Sequence, residues 1–290
     1  MSHGPSEITR GPSPSHPKVT PDNNGSRSPA NGSIFVSETF RSRQGEGKLT
    51  GTESYFIRAS GCNLRCWFCD TPYASWKPSG ESVAIDKLVD AASASGLEHV
   101  VITGGEPLLS ANFETLVAAF QSDNRHVTIE TAGTLSKPTP CDLLSLSPKL
   151  SDSTPDAVAH PRWSRLHEQR RMPIEIMRQL IDAARDFQLK FVVGDSAQFG
   201  EVVQVAGSLG VSATDVFIMP RGTTIVELDA AATWLRPWVD SVGFHYCDRM
   251  QIRWYGNRRI DPRSKPGGGR VEFDDRGAAW HDKDVRGAYP

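Results

Sequence analysis

No apolar run in the 290-residue chain approaches the ~20 residues needed to span a bilayer, so a membrane-spanning helix is not expected. Net charge is nearly absent as well: −2 at pH 7, with a sequence pI near 6.5, leaves no overall basic field to hold phosphate backbones, which argues against a nucleic-acid partner. Cysteine is scarce. Five thiols, an odd number, in a long chain that no apolar secretory segment opens do not make a disulfide framework. These absences leave a cytoplasmic, soluble catalyst as the expected class, with enough length for a large core.

The two ends contribute little to that core. Six prolines, six serines and three glycines among the first thirty residues, without apolar periodicity, predict a disordered leader over residues 1–32. Residues 261–290, with twelve charged residues and five glycines, are expected to form a disordered tail, leaving a domain over residues 33–260.

Within that domain strand-like and helix-like segments alternate. Strands are expected at Ile34–Val36, Ser54–Arg58, His99–Thr103, His126–Glu130, Leu143–Leu146, Leu189–Val193, Asp215–Met219 and Gln251–Trp254. Helical i, i+3, i+4, i+7 spacing joins Ile85, Leu88, Val89 and Ala92, then Phe113, Leu116, Val117 and Phe120, then Met177, Leu180, Ile181 and Ala184. Such alternation predicts βαβ units and an α/β fold with parallel strands, whose functional groups gather beyond the carboxyl ends of the strands.

One such strand end carries the most informative run of the chain, Gly-Cys-Asn-Leu-Arg-Cys-Trp-Phe-Cys-Asp over residues 61–70. Thiolates at Cys62, Cys66 and Cys69 fit on one loop and can bind three irons of a [4Fe-4S] cluster, leaving the fourth iron open to a small chelating ligand. Structural zinc would need a second Cys or His pair at similar spacing, and Cys141 and Cys247 do not supply one. Those two read as ordinary thiols, and His99, His126 and His245, near expected strands, as structural. A second signal, Thr103-Gly104-Gly105-Glu106-Pro107, follows the apolar strand Val100–Ile102: its glycines permit close backbone approach and its carboxylate can accept from a ligand amine.

With Phe68 directly before the last cysteine, these motifs resemble the radical S-adenosylmethionine (SAM) superfamily. Further segments narrow the resemblance to the 7-carboxy-7-deazaguanine synthase family: Arg43-Gln44-Gly45-Glu46-Gly47, Glu130-Thr131-Ala132-Gly133-Thr134, Ser147-Pro148-Lys149, Gln188-Leu189-Lys190-Phe191-Val192-Val193, Asp248-Arg249-Met250-Gln251-Ile252 and Tyr255-Gly256-Asn257-Arg258-Arg259. The resemblance implies a partial (βα) barrel of the radical SAM type and a lyase that converts 6-carboxy-5,6,7,8-tetrahydropterin into 7-carboxy-7-deazaguanine with loss of ammonia, a step toward queuosine and other 7-deazapurines. It implies a [4Fe-4S] cluster, SAM and Mg²⁺ as cofactors, a flavodoxin or ferredoxin as electron donor, and a homodimer.

Carried over residue by residue, the resemblance assigns Arg43, Gln44, Gly45, Arg58 and Thr103 to the pterin. For Arg58 the chemistry agrees, because a guanidinium at a strand end can grip a carboxylate through two parallel hydrogen bonds. SAM would meet Phe68, Cys69, Asp70, Gly105, Glu106, Ser147, Pro148, Lys149 and Lys190, and Mg²⁺ would sit at Thr71. Lys190, charged within an apolar strand, is equally explained by a structural ion pair. Two other functions remain open from the sequence: a radical SAM activase that makes a glycyl radical on a partner protein, and a non-enzymatic iron-sulfur or zinc binding module.

Overall fold

The computed structural model describes residues 32–256; the expected tail and all but the last residue of the expected leader lie outside the described residues, as do Asn257, Arg258 and Arg259. In chain order the elements are β1 (Ser33–Arg43), β2 (Glu53–Ala59), β3 (Glu81–Ala84), α1 (Ile85–Ser95), β4 (His99–Gly104), α2 (Phe113–Ser122), β5 (His126–Thr131), β6 (Leu143–Leu146), α3 (Pro161–Arg170), α4 (Ile174–Ala183), β7 (Phe187–Val193), α5 (Phe199–Leu209), β8 (Val216–Pro220), α6 (Ile225–Val242), β9 (His245–Tyr246) and α7 (Met250–Tyr255). Nine strands form one open sheet in the order β3-β1-β2-β4-β5-β6-β7-β8-β9. From β2 to β9 every pairing is parallel, whereas β1 runs antiparallel to both β2 and β3. The expected parallel sheet is thus present from β2 to β9, and β1 adds antiparallel pairs at one edge.

The period of two along each strand divides the sheet into two chemically different faces. Ile57, Val100, Ile102, Val127, Ile129, Leu144, Leu146, Leu189, Phe191, Val216 and Ile218 join one apolar core with residues of α1, α2, α4, α5 and α6. The alternate positions carry Arg58, Thr103, Glu130, Ser145, Gln188 and Lys190, a polar face outside that core. On β1 a bulge is needed to join this pattern: Val36 stands beside Ala59 but Glu38 beside Arg58, so the extra residue Ser37 re-aims Glu38 onto the polar face.

Three elements differ from expectation. The segment expected as a strand at Gln251–Trp254 is the helix α7, in which Ile252 alone is buried and the backbone N–H of Ile252 donates to the Arg249 carbonyl at 2.9 Å. In so short a window a single buried apolar residue fits either period, and tertiary contact decides. The strands β3 and β9 have four and two residues, too few to show a pattern. The expected helical faces are present in α1 and α2 and, for Met177, Leu180 and Ile181, in α4, which ends at Ala183 with Ala184 following in extended backbone. Among the described residues no helix is long and apolar enough to cross a membrane.

Candidate active site

The cysteine loop leaves the carboxyl end of β2 and is fixed there by backbone contacts with the turn after β4. The N–H of Gly105 donates to Ala59, that of Glu106 to Gly61, and that of Gly61 to Ala74, at 3.1, 2.8 and 2.8 Å. A Cβ on Gly105 would lie 2.2 Å from the Gly61 carbonyl oxygen and 2.5 Å from that of Ala74, so glycine is required there by packing whatever ligand the turn meets. Glu106 is buried and caps the following turn. It accepts from the Leu108 N–H at 3.2 Å, the Thr131 hydroxyl at 2.7 Å and the Ala132 N–H at 3.0 Å. Burial raises its pKa, against these three donors and the charge of Lys149. A carboxylate has about four acceptor positions, so about one remains beyond these three donors.

Cys62, Cys66 and Cys69 are free and half-buried. The Cys62 sulfur accepts from the Leu64 N–H at 3.4 Å, and the Cys69 sulfur lies 3.1 Å from Ser75 Oγ and 3.7 Å from Thr71 Oγ1. Burial pushes the thiols of Cys62 and Cys66 up to about 12 and about 11, so loading a metal must release protons. Among the described residues no three His, Cys, Asp or Glu side chains converge on a single ion position. In a four-iron cluster each sulfur binds a different iron, so three thiols on one loop can serve it, whereas structural zinc needs four ligands on a single ion.

Three further motifs reach this end of the sheet. Ser147 donates its N–H to the Thr131 carbonyl at 2.8 Å, and Lys149 Nζ donates to Ser147 Oγ at 2.7 Å. Lys149 is close enough to Cys66 and Glu106 for its charge to oppose the burial that raises both pKa values, which ties the Ser147-Pro148-Lys149 turn to the loop and to the glycine turn. Phe68 packs edge-on to Trp67 at 5.4 Å, and the Arg221 guanidinium lies 5.3 Å from the Phe68 ring. Asp70 is ion-paired with Arg249.

The polar face below holds the expected pterin residues. Arg58 uses Nε alone on Glu38, at 2.7 Å, and Glu38 also accepts from the Tyr73 hydroxyl at 2.8 Å. Among the described residues the two terminal nitrogens of Arg58 have no hydrogen-bond partner, so its bidentate edge is available, with Thr103 beside it in register. Because β1 is antiparallel, its end lies at the amino ends of the parallel strands, and the segment after it turns under the polar face as a floor. Gln44 donates to Glu130 at 3.0 Å. Gly45 accepts from the Met250 N–H at 3.1 Å, and a Cβ there would fall 2.1 Å from Gln251 Oε1. Arg43 has Glu53 as its register partner and stands on the face opposite Arg58.

Lys190 stands in an ion pair, 2.8 Å from Glu46 and 3.6 Å from Glu130, the second of its two sequence explanations. Burial disfavours the charged form of Glu46, but Lys190, Arg249 and hydrogen bonds from Lys190 and Gln251 outweigh it and hold the carboxyl at about 2. Burial likewise works against the Lys190 ammonium, and Glu130 and Glu46 outweigh it to raise the pKa.

Several residues with clear structural roles here were not singled out from the sequence. Glu46, Glu130 and Arg249 lie inside quoted motifs, so a signal existed. Asn63, paired with Thr134 at 3.0 Å, also lies inside a quoted motif, whereas His167, which accepts from the Arg65 N–H at 3.1 Å, carries no such signal, because its partner is distant in the chain. Burial lowers the His167 pKa to about 4. Cys141 and Cys247 are buried thiols, and His99, His126 and His245 make ring contacts at the strands as expected.

Comparison with known proteins agrees with this geometry. The family model described as the radical SAM superfamily matches residues 56–194. The chain is 56% identical over 227 residues to the 7-carboxy-7-deazaguanine synthase of Rhodopirellula baltica, covering 78% of this chain and 88% of that one. It is 39% identical over 240 residues to the synthase of Halobacterium salinarum, covering 79% and 92%. In fold it resembles the crystal structure of QueE from Escherichia coli, with a TM-score of 0.55 at 19% identity over 75% of this chain and 94% of that one. The three-cysteine loop, the glycine turn beside it and these relatives together make the chain a member of the 7-carboxy-7-deazaguanine synthase family of the radical SAM superfamily.

Proposed function

We propose that the protein converts 6-carboxy-5,6,7,8-tetrahydropterin into 7-carboxy-7-deazaguanine with release of ammonia. The observation that carries this reading is the polar sheet face, with the unshared guanidinium edge of Arg58 at the carboxyl end of β2, the strand that leads into the loop of three free thiols. When bound, the cluster and SAM would supply an electron and a carbon radical able to take hydrogen from the pterin. All other roles fall to the chain's own side chains. Arg58, oriented by Glu38 and Tyr73, grips the pterin carboxylate; Thr103 stands beside it, and Gln44 and the Gly45 backbone form the floor. The fourth acceptor position of Glu106, with Gly105, Ser147, Pro148, Lys149 and the Phe68–Asp70 stretch, meets SAM, while Lys190 holds Glu46 in place of a direct SAM contact. The protein's main contribution is orientation and exclusion of water.

Finer parts belong to the same proposal. Thr71 has only the long 3.7 Å contact to Cys69 at its hydroxyl, so it retains lone pairs for Mg²⁺, whose remaining ligands would be substrate oxygens and water. A flavodoxin or ferredoxin supplies electrons, and the working form is a cytoplasmic homodimer.

The test is anaerobic turnover of the reconstituted full chain with SAM, Mg²⁺, a low-potential reductant and the pterin, read by mass spectrometry. Product that disappears in Cys66→Ala is expected. SAM cleavage without change in the pterin would overturn the substrate assignment, and intact SAM would overturn the cluster reading.

A further inference from the structure

Among the described residues His167 is the one histidine wholly shielded from solvent. It sits on α3, and the mechanism above does not use it. Its Nδ1 accepts the backbone N–H of Arg65 at 3.1 Å. A nitrogen that accepts carries no proton, so the ring proton is on Nε2, which lies 2.8 Å from Ser153 Oγ and donates to it. The serine hydroxyl passes its own hydrogen to the Leu150 carbonyl at 2.6 Å. The Ser153 carbonyl accepts the N–H of Trp67 at 3.2 Å. Arg65 and Trp67 are the two neighbours of Cys66, so one buried ring and the serine it fixes hold the backbone on both sides of the central cysteine.

The surroundings reinforce this grip. Arg65 lies flat against Trp163 of α3, with its guanidinium 3.9 Å from the ring centre, and its Nη1 donates to the carbonyls of Cys62 and Leu64 at 2.6 and 2.7 Å. Arg170, also on α3, donates to the Asn63 carbonyl at 3.2 Å. One helix therefore holds the stretch between Cys62 and Cys66. Among the described residues His167 is the acceptor of the Arg65 N–H, which would otherwise be a buried, unpaired donor.

We propose that His167 is a positioning residue for the iron-sulfur cluster: the neutral Nε2–H ring sets the backbone on both sides of Cys66 and thereby where that sulfur meets its iron. This rests on the reading of Cys62, Cys66 and Cys69 as cluster ligands. The geometry and potential of such clusters respond to hydrogen bonding and solvent access around the sulfurs, and loss of an outer partner of a metal ligand weakens binding markedly.

Two isosteric substitutions separate this role from ordinary packing. In His167→Asn the Oδ1 takes the place of Nδ1, keeping the acceptor for Arg65 and losing the bond to Ser153. In His167→Gln the Nε2 takes the place of the ring Nε2, keeping Ser153 and leaving the Arg65 N–H unpaired. Full-length variants, reconstituted anaerobically, are compared with wild type by electron paramagnetic resonance of the reduced cluster, by reduction potential and by the rate of iron release to a chelator. The expected result is that His167→Gln has an altered spectrum and potential and releases iron about tenfold faster, the scale typical for an outer partner of a metal site, while His167→Asn, which loses only the bond to Ser153, changes in the same sense by a smaller amount. If His167→Gln does not fold, Ser153→Ala, which frees the ring without removing it, is expected to shift the spectrum in the same sense by a smaller amount. Wild-type spectra and iron release in every variant, or equal changes in the Asn and Gln variants that merely follow their loss of thermal stability, would overturn the proposal. A wild-type chain that takes up no four-iron cluster overturns the ligand reading itself, and is recognised before any variant is compared.

Discussion

Replacing Lys190 with methionine removes a cation from between two carboxylates while keeping most of the side-chain length. Lys190 Nζ is 2.8 Å from Glu46 and 3.6 Å from Glu130, and its side chain is only 4% exposed. Two routes give the size of the effect. Breaking a buried ion pair by deleting one partner typically costs ~3–5 kcal/mol, because the remaining charge is left without compensation. Independently, the descent of Glu46 from 4.5 to about 2 corresponds to about 3 kcal/mol of stabilisation of its ionised form. Arg249 at 3.7 Å and Gln251 at 2.6 Å would retain part of it, so the lower end is expected. For a domain of this size, ~3 kcal/mol lowers the Tm by roughly 6–12 °C. The pH dependence has a definite sign. A carboxyl with a depressed folded pKa contributes fully above its unfolded value near 4.5 and loses that contribution as pH falls through about 2, so Lys190→Met and wild type should differ equally at pH 6 and pH 8. Denaturant unfolding of the metal-free protein measures it. Glu46→Gln combined with Lys190→Met should recover more than half of the loss, as residues in one network are not additive. A Lys190→Met protein within ~1 kcal/mol of wild type whose SAM affinity has fallen would refute the reasoning and return Lys190 to the cofactor.

Other outcomes follow from the same geometry. Arg58→Lys keeps a charge near Glu38 but loses the two-nitrogen edge; kcat/KM for the pterin should fall roughly 10- to 100-fold, the equivalent of one charged hydrogen bond, with reductive SAM cleavage preserved. Unchanged pterin kinetics would remove Arg58 from the substrate. Gly105→Ala forces a Cβ against two backbone oxygens, at 2.2 and 2.5 Å; calorimetry should show a loss of about 1–3 kcal/mol or more, with weakened SAM binding because the cysteine loop must move. Wild-type stability would mean that this close approach is not rigid.

How much of this was legible in the sequence depends on the distance over which each signal acts. The cysteine spacing, the glycine turn and the apolar strand cores are local, and they identified the parallel sheet, the loop and its neighbours correctly. Arg43 was chosen with its neighbours, but pairing register, a property of two strands, set it on the face away from Arg58. Lys190 carried two readings because a buried lysine declares that it has a partner without naming it, and the partner lies 144 residues away. The helix α7 is not legible as a helix, because six residues with one buried side chain do not show a period.

The sequence by itself determined the chemistry: three thiols on one loop, a carboxylate after paired glycines, and a resemblance that holds across most of the domain. The alternation of strands and helices also determined that these groups would share one end of a sheet. Only the tertiary structure decided which side chains face one another across it. A bulge at Ser37 turns Glu38 toward Arg58, the floor segment brings Glu46 to Lys190 and Arg249, and α3 delivers His167 to the backbone beside Cys66. The physical reason is that hydrogen bonds and ion pairs between distant segments depend on register, crossing and burial, and these exist only once the chain has closed on itself.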